Sequence, residues 1–441
     1  MAGSQTRMPE VLIIGAGAIG CSIARELAQR GVRDVLVLDR GAAGDGSSSR
    51  AAGGLRAQFG TAFNIRSTQL SQDVFRNARE TLGGDIDYRE DGYIFLARSA
   101  QQAEVFRQNV AIQRSLGVDV DWLSPDDLET RWPWMRLDGV HAASWCPTDC
   151  VFDQRLYMDL LIARTRDAGA GVEIREHTPV LRLVQASDGS GRVIGVETPD
   201  GIIQAGTTIL AAGAWSSPLT APLGLELAIS PLRREIYTTV PVAGLPEQLP
   251  FIADFDNGTY IRRDAHGFRI AGQRDPNDDL TQDRPVNLDN AATATAWAGA
   301  LVPALAGATI TGGWAGMTEI TPDHHALLGG VPGLDGLILA TGFSGHGVMH
   351  APVTGVLISE LLLDGAATTL DITPLDALRF AEGRALTETM IARRGTPTDA
   401  DPATASTPVT NFEQGDIVAT PRGSASADMH TTTTEGTEGR G

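Results

Sequence analysis

The chain has 441 residues, 54 acidic and 35 basic side chains, and a formal net charge of −19. All 35 basic residues are arginines, which closes every chemistry that needs a lysine: a Schiff-base enzyme, a pyridoxal phosphate enzyme with its internal aldimine, and a P-loop nucleotidase. The acidic balance, with no basic cluster, also argues against nucleic acid or an anionic membrane as partner, because both need a positive field.

Val11-Leu-Ile-Ile14 is a continuous apolar run ending at Gly15, the pattern of a strand buried on both faces in a parallel sheet. A helix is predicted from Ala18 to Arg30, with Ile19, Ile23 and Leu27 near one stripe, and Gly31 stops it where a left-handed C-cap costs least. Val35-Leu-Val-Leu38 is the second strand and closes at Asp39, which completes one βαβ unit. Farther along, strands are predicted at Gly171 to Ile174 and Val180 to Val184. A hairpin follows, pairing Val193 to Thr198 with Ile202 to Gln204 around Asp200-Gly201. Thr207 to Ala211 is another buried strand. Leu232 to Gly272 alternates strand-like and turn-like segments, among them Tyr260 to Arg263 and Gly267 to Ile270. Gly336 to Ala340 is a strand, and Val348 to Leu363 a helix after a glycine-rich turn. The expected fold class is α/β, α+β overall: a Rossmann-like cofactor domain from discontinuous segments, with an inserted antiparallel β-sheet domain. From Gly395 onward 11 of 47 residues are threonine and no apolar periodicity remains, so this stretch is expected to be a disordered tail.

Three cysteines, Cys21, Cys146 and Cys150, are too few for a disulfide framework, and their single C-x3-C pair has no second ligand pair, so no metal is expected. Met1 to Glu10 has no apolar signal core and the apolar stretches fall short of 18 residues; a soluble, cytoplasmic protein without a membrane span is expected.

Gly15-Ala-Gly-Ala-Ile-Gly20 matches G-x-G-x-x-G in the context that gives the match meaning: after a buried strand, opening a helix, with Asp39 at the end of the next strand. Glycines let the backbone approach a pyrophosphate, the helix N-terminus offers free N–H groups, and Asp39 can accept from a ribose hydroxyl. The segment Gly44 to Arg56 that follows is small and rich in hydroxyls, suited to backbone and serine contacts along an extended ligand.

At this point the sequence resembles the D-amino-acid oxidase superfamily of FAD enzymes, in its sarcosine oxidase β-subunit, dimethylglycine dehydrogenase and glycine oxidase group. The resemblance runs from about residue 10 to 383. It is carried also by Thr208 to Ser216, by Trp314 to Asp323, and by Gly342-Phe-Ser-Gly-His-Gly347. It implies an FAD-binding domain from 9–80, 150–225 and 325–383, a substrate domain from 81–149 and 226–324, and a mostly disordered tail over 384–441. Implied FAD contacts are Gly15, Gly17, Ala18, Ile19, Gly20, Asp39, Arg40, Ser47, Ser48, Arg50, Gly53, Gly54, Leu55, Val180, Ala212, Gly213, Trp215, Gly342, Ser344, Gly345, His346 and Gly347. The helix after Gly347 would point its positive end at the flavin pyrimidine edge.

The activity the resemblance implies is oxidation of the C–N bond of a small secondary amine or amino acid by hydride transfer to flavin N5, followed by hydrolysis of the imine. Departures from the pattern bear on attachment and substrate. Arg50 stands where some members have a histidine joined to FAD, and Gly316 where others have such a cysteine, so FAD is expected to be non-covalent. Met349 replaces a carboxylate-holding lysine, and Thr318 and Glu319 stand where glycine oxidase has an arginine. A carboxylate anchor would then be arginine, with Arg56 and Arg262 the candidates, beside Tyr260 and His346 as further catalytic-site candidates and Gln58 as a weaker one. His324 and His325 are expected at a strand start, one buried and one exposed, and Trp132, Trp134 and Trp145 in the core or at an interface. The electron acceptor is oxygen, a quinone or a partner protein, the last within a hetero-oligomer. Two other functions fit the same motifs: FAD-dependent 2-hydroxy-acid oxidation, and a flavin-bound accessory subunit without turnover.

Overall fold

The computed structural model describes residues 8–272 and 285–390, apart from Ala170 and Asn257. Val11–Ile14 is buried at every position and lies centrally in a six-stranded sheet. Thr207–Leu210 and Leu337–Thr341 extend it on one side and Val35–Leu38 and Val172–Arg175 on the other, all parallel. Leu327–Gly330 closes one edge antiparallel. Side chains of both faces are enclosed, which is why these strands read as unbroken apolar runs. The helices Ala18–Gln29 and Gly347–Asp364 pack against each other. The second of these is long and apolar enough to cross a membrane by length and composition, with a mean hydropathy of 1.2 over 18 residues, although no such stretch is expected from the sequence. Half of it is buried inside the protein, and its apolarity is that of a core helix.

The predicted hairpin forms a small antiparallel sheet, Val193–Thr198 against Gly201–Gln204, joined by Arg182–Gln185. The strand expected from Val180 thus begins two residues later, and Val180 itself packs on the apolar cluster beneath.

The second large sheet has eight strands in the order Ile310–Ile320, Ser230–Thr239, Gly267–Ala271, Tyr260–Asp264, Phe251–Asp254, Tyr93–Ala97, Ala142–Cys146, Asp121–Leu123. It is antiparallel apart from one parallel pair, Phe251–Asp254 with Tyr93–Ala97. Alternation divides its faces. Ile94, Leu96, Ile252, Ile261 and Tyr237 point to a cluster with Trp132, Ala298 and Leu301, with Trp134 and Trp145 packed on it. Tyr93, Phe95, Phe251, Tyr260 and Ile236 point the other way, where Trp314 and Met390 meet them.

The first seven residues of the expected tail are ordered. Residues 384–390 fold back onto the chain, Met390 is fully buried, and the Glu388 carboxylate accepts from the Gly60 and Met390 N–H groups, the Thr61 hydroxyl and the Asn64 amide. Four donors around one carboxylate offset the ordering entropy that composition alone left uncompensated. Residues 391–441, the rest of the expected tail, lie outside the described residues.

Candidate active site

The nucleotide end is built by close backbone approach. Gly15 has φ +108, and a Cβ on it would lie 2.4 Å from the Ala211 carbonyl oxygen; a Cβ on Gly20 would lie 1.9 Å from that of Gly15. Only glycine lets strand, turn and helix meet this tightly. Gly17 caps the helix without a side chain, and the Ser48 hydroxyl accepts the Ala18 N–H at 2.9 Å, while Ile19 lies buried in the first turn. Asp39 accepts the N–H groups of Ala16 and Gly41 at 2.8 and 2.9 Å. Burial holds its carboxyl above the ordinary range against the pull of those donors. Arg40 lies 3.9 Å over the Trp215 ring, so two residues implied by separate motifs form one wall; Ala212 and Gly213 lead into the turn that carries Trp215.

Ser47, Ser48 and Arg50 form a single turn. The Arg50 guanidinium donates to the Asp45 and Ala315 carbonyls, and its own carbonyl accepts from the Trp314 indole. A Cβ on Gly316 would lie 3.0 Å from the Arg50 Cβ. The two positions that the resemblance associates with covalent attachment therefore touch, and neither bears a nucleophile. The three cysteines are buried free thiols, with Cys21 pushed up to about 12 by burial. Gly54–Leu55 pairs with Cys150–Val151, and Gly54 lies directly against the Tyr93 hydroxyl.

At the other end, Gly342, Ser344 and Gly345 all have positive φ and feed the helix that starts at Gly347. His346 caps that helix without a side-chain bond, so its N–H groups keep their partial positive charge for a ligand. Ser344 departs from the expectation of a ligand donor: its N–H goes to the Glu319 carbonyl at 2.8 Å and its hydroxyl bonds to Thr321. The Glu319 carboxylate accepts the Phe343 N–H at 3.2 Å and is pushed up to about 7 by burial. Glycine-lined approaches, an open helix N-terminus and Asp39 fit FAD chemically.

Arg56, only 7% exposed, is the focus of the substrate side. Its guanidinium donates to the Gln58 and Met390 carbonyls and reaches His346 Nε2 at 3.5 Å, with the Phe59 ring 3.9 Å and the Phe95 ring 5.0 Å from its carbon. Among the described residues no carboxylate stands at ion-pair distance from it. Gln58 is not a pocket residue but a strut. Its amide donates to Tyr93 and Asp149 and accepts from Ser144, and Asp149 also holds the Ala57 N–H at 2.6 Å. Arg262 is buried, and among the described residues no carboxylate stands at ion-pair distance from it. It is 1% exposed, donates to the Gly53 and Phe152 carbonyls, and is pushed down to about 9 by burial and then by Arg269. Tyr260 lies beside Phe251, and its hydroxyl has no hydrogen-bond partner among the described residues.

Sequence reading missed Arg234. It pairs in register with Gly316 and donates to the Gly258 carbonyl, and its guanidinium carbon lies 5.5 Å from the Tyr260 ring. No local motif marks it, because its proximity to Tyr260 comes from strand pairing. His324 and His325 sit in the turn before Leu327–Gly330. His325 is buried and bonded to Asp323 and Thr61, and His324 is half-buried with φ +57 rather than exposed.

The family described as FAD dependent oxidoreductase (DAO) matches residues 10–361. Glycine oxidase of Geobacillus kaustophilus (strain HTA426) is 30% identical, over 85% of this chain and 98% of the relative. FAD-dependent oxidoreductase domain-containing protein 1 of Xenopus laevis is also 30% identical, over 84% and 82%. The crystal structure of L-proline dehydrogenase from P. horikoshii superposes with a TM-score of 0.76 at 28% identity, over 86% of this chain and 99% of that one. The chain belongs to the DAO family of FAD-dependent oxidoreductases: it is an enzyme, and its cofactor is FAD.

Proposed function

We propose that the protein oxidises the C–N bond of a small amino acid or N-substituted amino acid, with Arg56 holding the α-carboxylate. The observation that carries this reading is Arg56 itself: a buried guanidinium without a carboxylate partner among the described residues, beside the turn that opens the Gly347 helix. A buried cation left unpaired is costly, and a substrate carboxylate supplies the missing charge. Bound FAD supplies the hydride acceptor.

The residues around Arg56 position and desolvate. Phe59 and Phe95 cover the guanidinium and exclude water, which strengthens its grip on an anion. His346 faces Arg56 with Nε2, and burial with the adjacent guanidinium lowers its pKa well below the ordinary value, so it is a neutral imidazole. The one lone pair of that neutral ring faces the Arg56 guanidinium, so His346 orients the anchor, and the substrate amine must bind with its own lone pair already free to drive hydride loss from the adjacent carbon. The relatives named glycine oxidase and L-proline dehydrogenase support an amino-acid substrate. The related 4-methylaminobutanoate oxidase, of which this chain spans 45%, supports an N-methylated one. The electron acceptor is oxygen, a quinone or a partner protein.

Anaerobic addition of amino acids, N-methyl amino acids, plain amines and 2-hydroxy acids, followed by flavin absorbance near 450 nm, tests the reading. Bleaching by amino acids is expected. Bleaching only by hydroxy acids overturns the amine assignment, and no bleaching by any compound leaves the accessory-subunit reading in its place.

A further inference from the structure

We infer that a buried water bound between Ser67 and His346 completes the anchor: it accepts the His346 Nδ1–H, fixes which nitrogen the ring turns to Arg56, and so positions the guanidinium for a substrate carboxylate. The last step rests on the reading of Arg56 as that anchor; the water site does not.

The site is a small cavity beside the Gly342–Gly347 turn, lined from the helices Ala62–Arg76 and Gly347–Asp364. Phe63 and Phe343 give it apolar walls, and Asn64, Ser67 and His346 give it polar ones. It has room for about one water molecule, and a buried water stays only where several polar groups meet it.

Ser67 is the first such group. It is fully buried in mid-helix, and its hydroxyl has no hydrogen-bond partner among the described residues. A helical serine or threonine can return its hydroxyl to the carbonyl one turn back, as Thr354, on the same cavity, does to His350 at 2.8 Å. Ser67 makes no such bond, and a buried hydroxyl left without one is costly. Asn64, one turn earlier, commits its amide N–H to Glu388 at 2.9 Å and keeps its oxygen as an acceptor. His346 is the third group. Its Nε2 lone pair meets Arg56 at 3.5 Å, so its proton is on Nδ1, and no described residue accepts that proton. Phe59 packs at 84° to the ring, 4.8 Å between centroids, and fixes its plane, but a ring of carbon atoms cannot tell one imidazole nitrogen from the other. A water can. Taking the Nδ1–H and donating to Ser67 and Asn64, it satisfies all three groups at once and holds Nε2 toward Arg56.

The water is read directly: a high-resolution crystal structure of the FAD-loaded enzyme should place a solvent oxygen within hydrogen-bond distance of Ser67 Oγ and His346 Nδ1. Its role is read by calorimetry on the loaded enzyme with (methylthio)acetate, a carboxylate with no amine to oxidise. S67V fills the cavity with carbon; it should remove that oxygen and weaken the probe's binding about 10-fold. S67A, which adds no bulk, should weaken it about 3-fold, and S67T, which keeps the hydroxyl, should stay within about 2-fold of wild type. A structure without a solvent oxygen there overturns the site. If R56Q weakens the probe but S67V and S67A do not, the positioning role is overturned. If R56Q leaves the probe's affinity unchanged as well, the anchor reading fails and the water, seen in the crystal structure, stands.

Discussion

Arg56 and His346, 290 positions apart in sequence, meet at 3.5 Å between Nη2 and Nε2. A guanidinium has only donors, so Nε2 must present its lone pair and the proton must reside on Nδ1. The contact ties the carboxylate anchor to the first residue of the C-terminal helix turn.

Replacing Arg56 tests the anchor. R56Q should raise the KM or Kd of an amino-acid substrate about 100-fold, with a much smaller effect on an amine that lacks a carboxylate. Steady-state kinetics on such a pair decides it, and an unchanged KM for the amino acid removes Arg56 from the role.

The same contact makes acid stability informative. Burial, then Arg56, holds His350 down at about 3, and His346 is depressed by the same causes. Histidines neutral in the fold but titrating near 6.5 when unfolded give stability that is complete above pH 6.5 and is lost as pH falls below it. Tm should be level from pH 8 to 7 and fall steadily toward pH 4. H350Q, which can still bond Thr68, should flatten that slope, and a slope identical to wild type refutes the assignment.

Glu319 acts with the opposite sign. Its carboxyl is pushed up to about 7 from an ordinary 4.5, so the fold favours the protonated form, and the stability it contributes is present below pH 4.5 and lost as pH rises through 7. E319Q keeps an acceptor for the Phe343 N–H. Its Tm should match wild type at pH 4.5 and exceed it by a few degrees at pH 8; equal values at both pH values exclude an ionising Glu319.

Glu388 clamps residues 386–390 over the Arg56 loop. E388A strands four donors and should cost about 2 to 4 kcal/mol, read as a lower urea midpoint. Because the Met390 carbonyl also holds Arg56, KM should rise as well. A change in stability alone makes the clamp purely structural.

Non-covalent attachment is checked by acid precipitation. Arg50 and Gly316 adjoin without a nucleophile, so yellow colour should leave with the supernatant; colour retained in the pellet shows a covalent link at another residue.

The dinucleotide end was legible because its causes are local. A strand buried on both faces, three glycines that permit close approach and an acid at the next strand end lie within Val11 to Asp39 and act over neighbouring residues. The Gly342 to Gly347 turn is likewise contiguous. Strands at Tyr93–Ala97 and Ala142–Cys146 were not legible, because their apolar positions serve two cores at once and so lack a clean alternation of polar and apolar residues.

By itself the sequence determined the FAD-binding architecture and the absence of lysine, which leaves arginine as the cation for any substrate carboxylate. Only the tertiary structure decided which arginines are available for that work. Thirty-five look alike in the chain, and burial without a carboxylate partner depends on register across the eight-stranded sheet and on where the Glu388 segment folds back. Those are long-range pairings, set by packing rather than by any motif, and they separate Arg56, Arg234 and Arg262 from ion-paired neighbours such as Arg269.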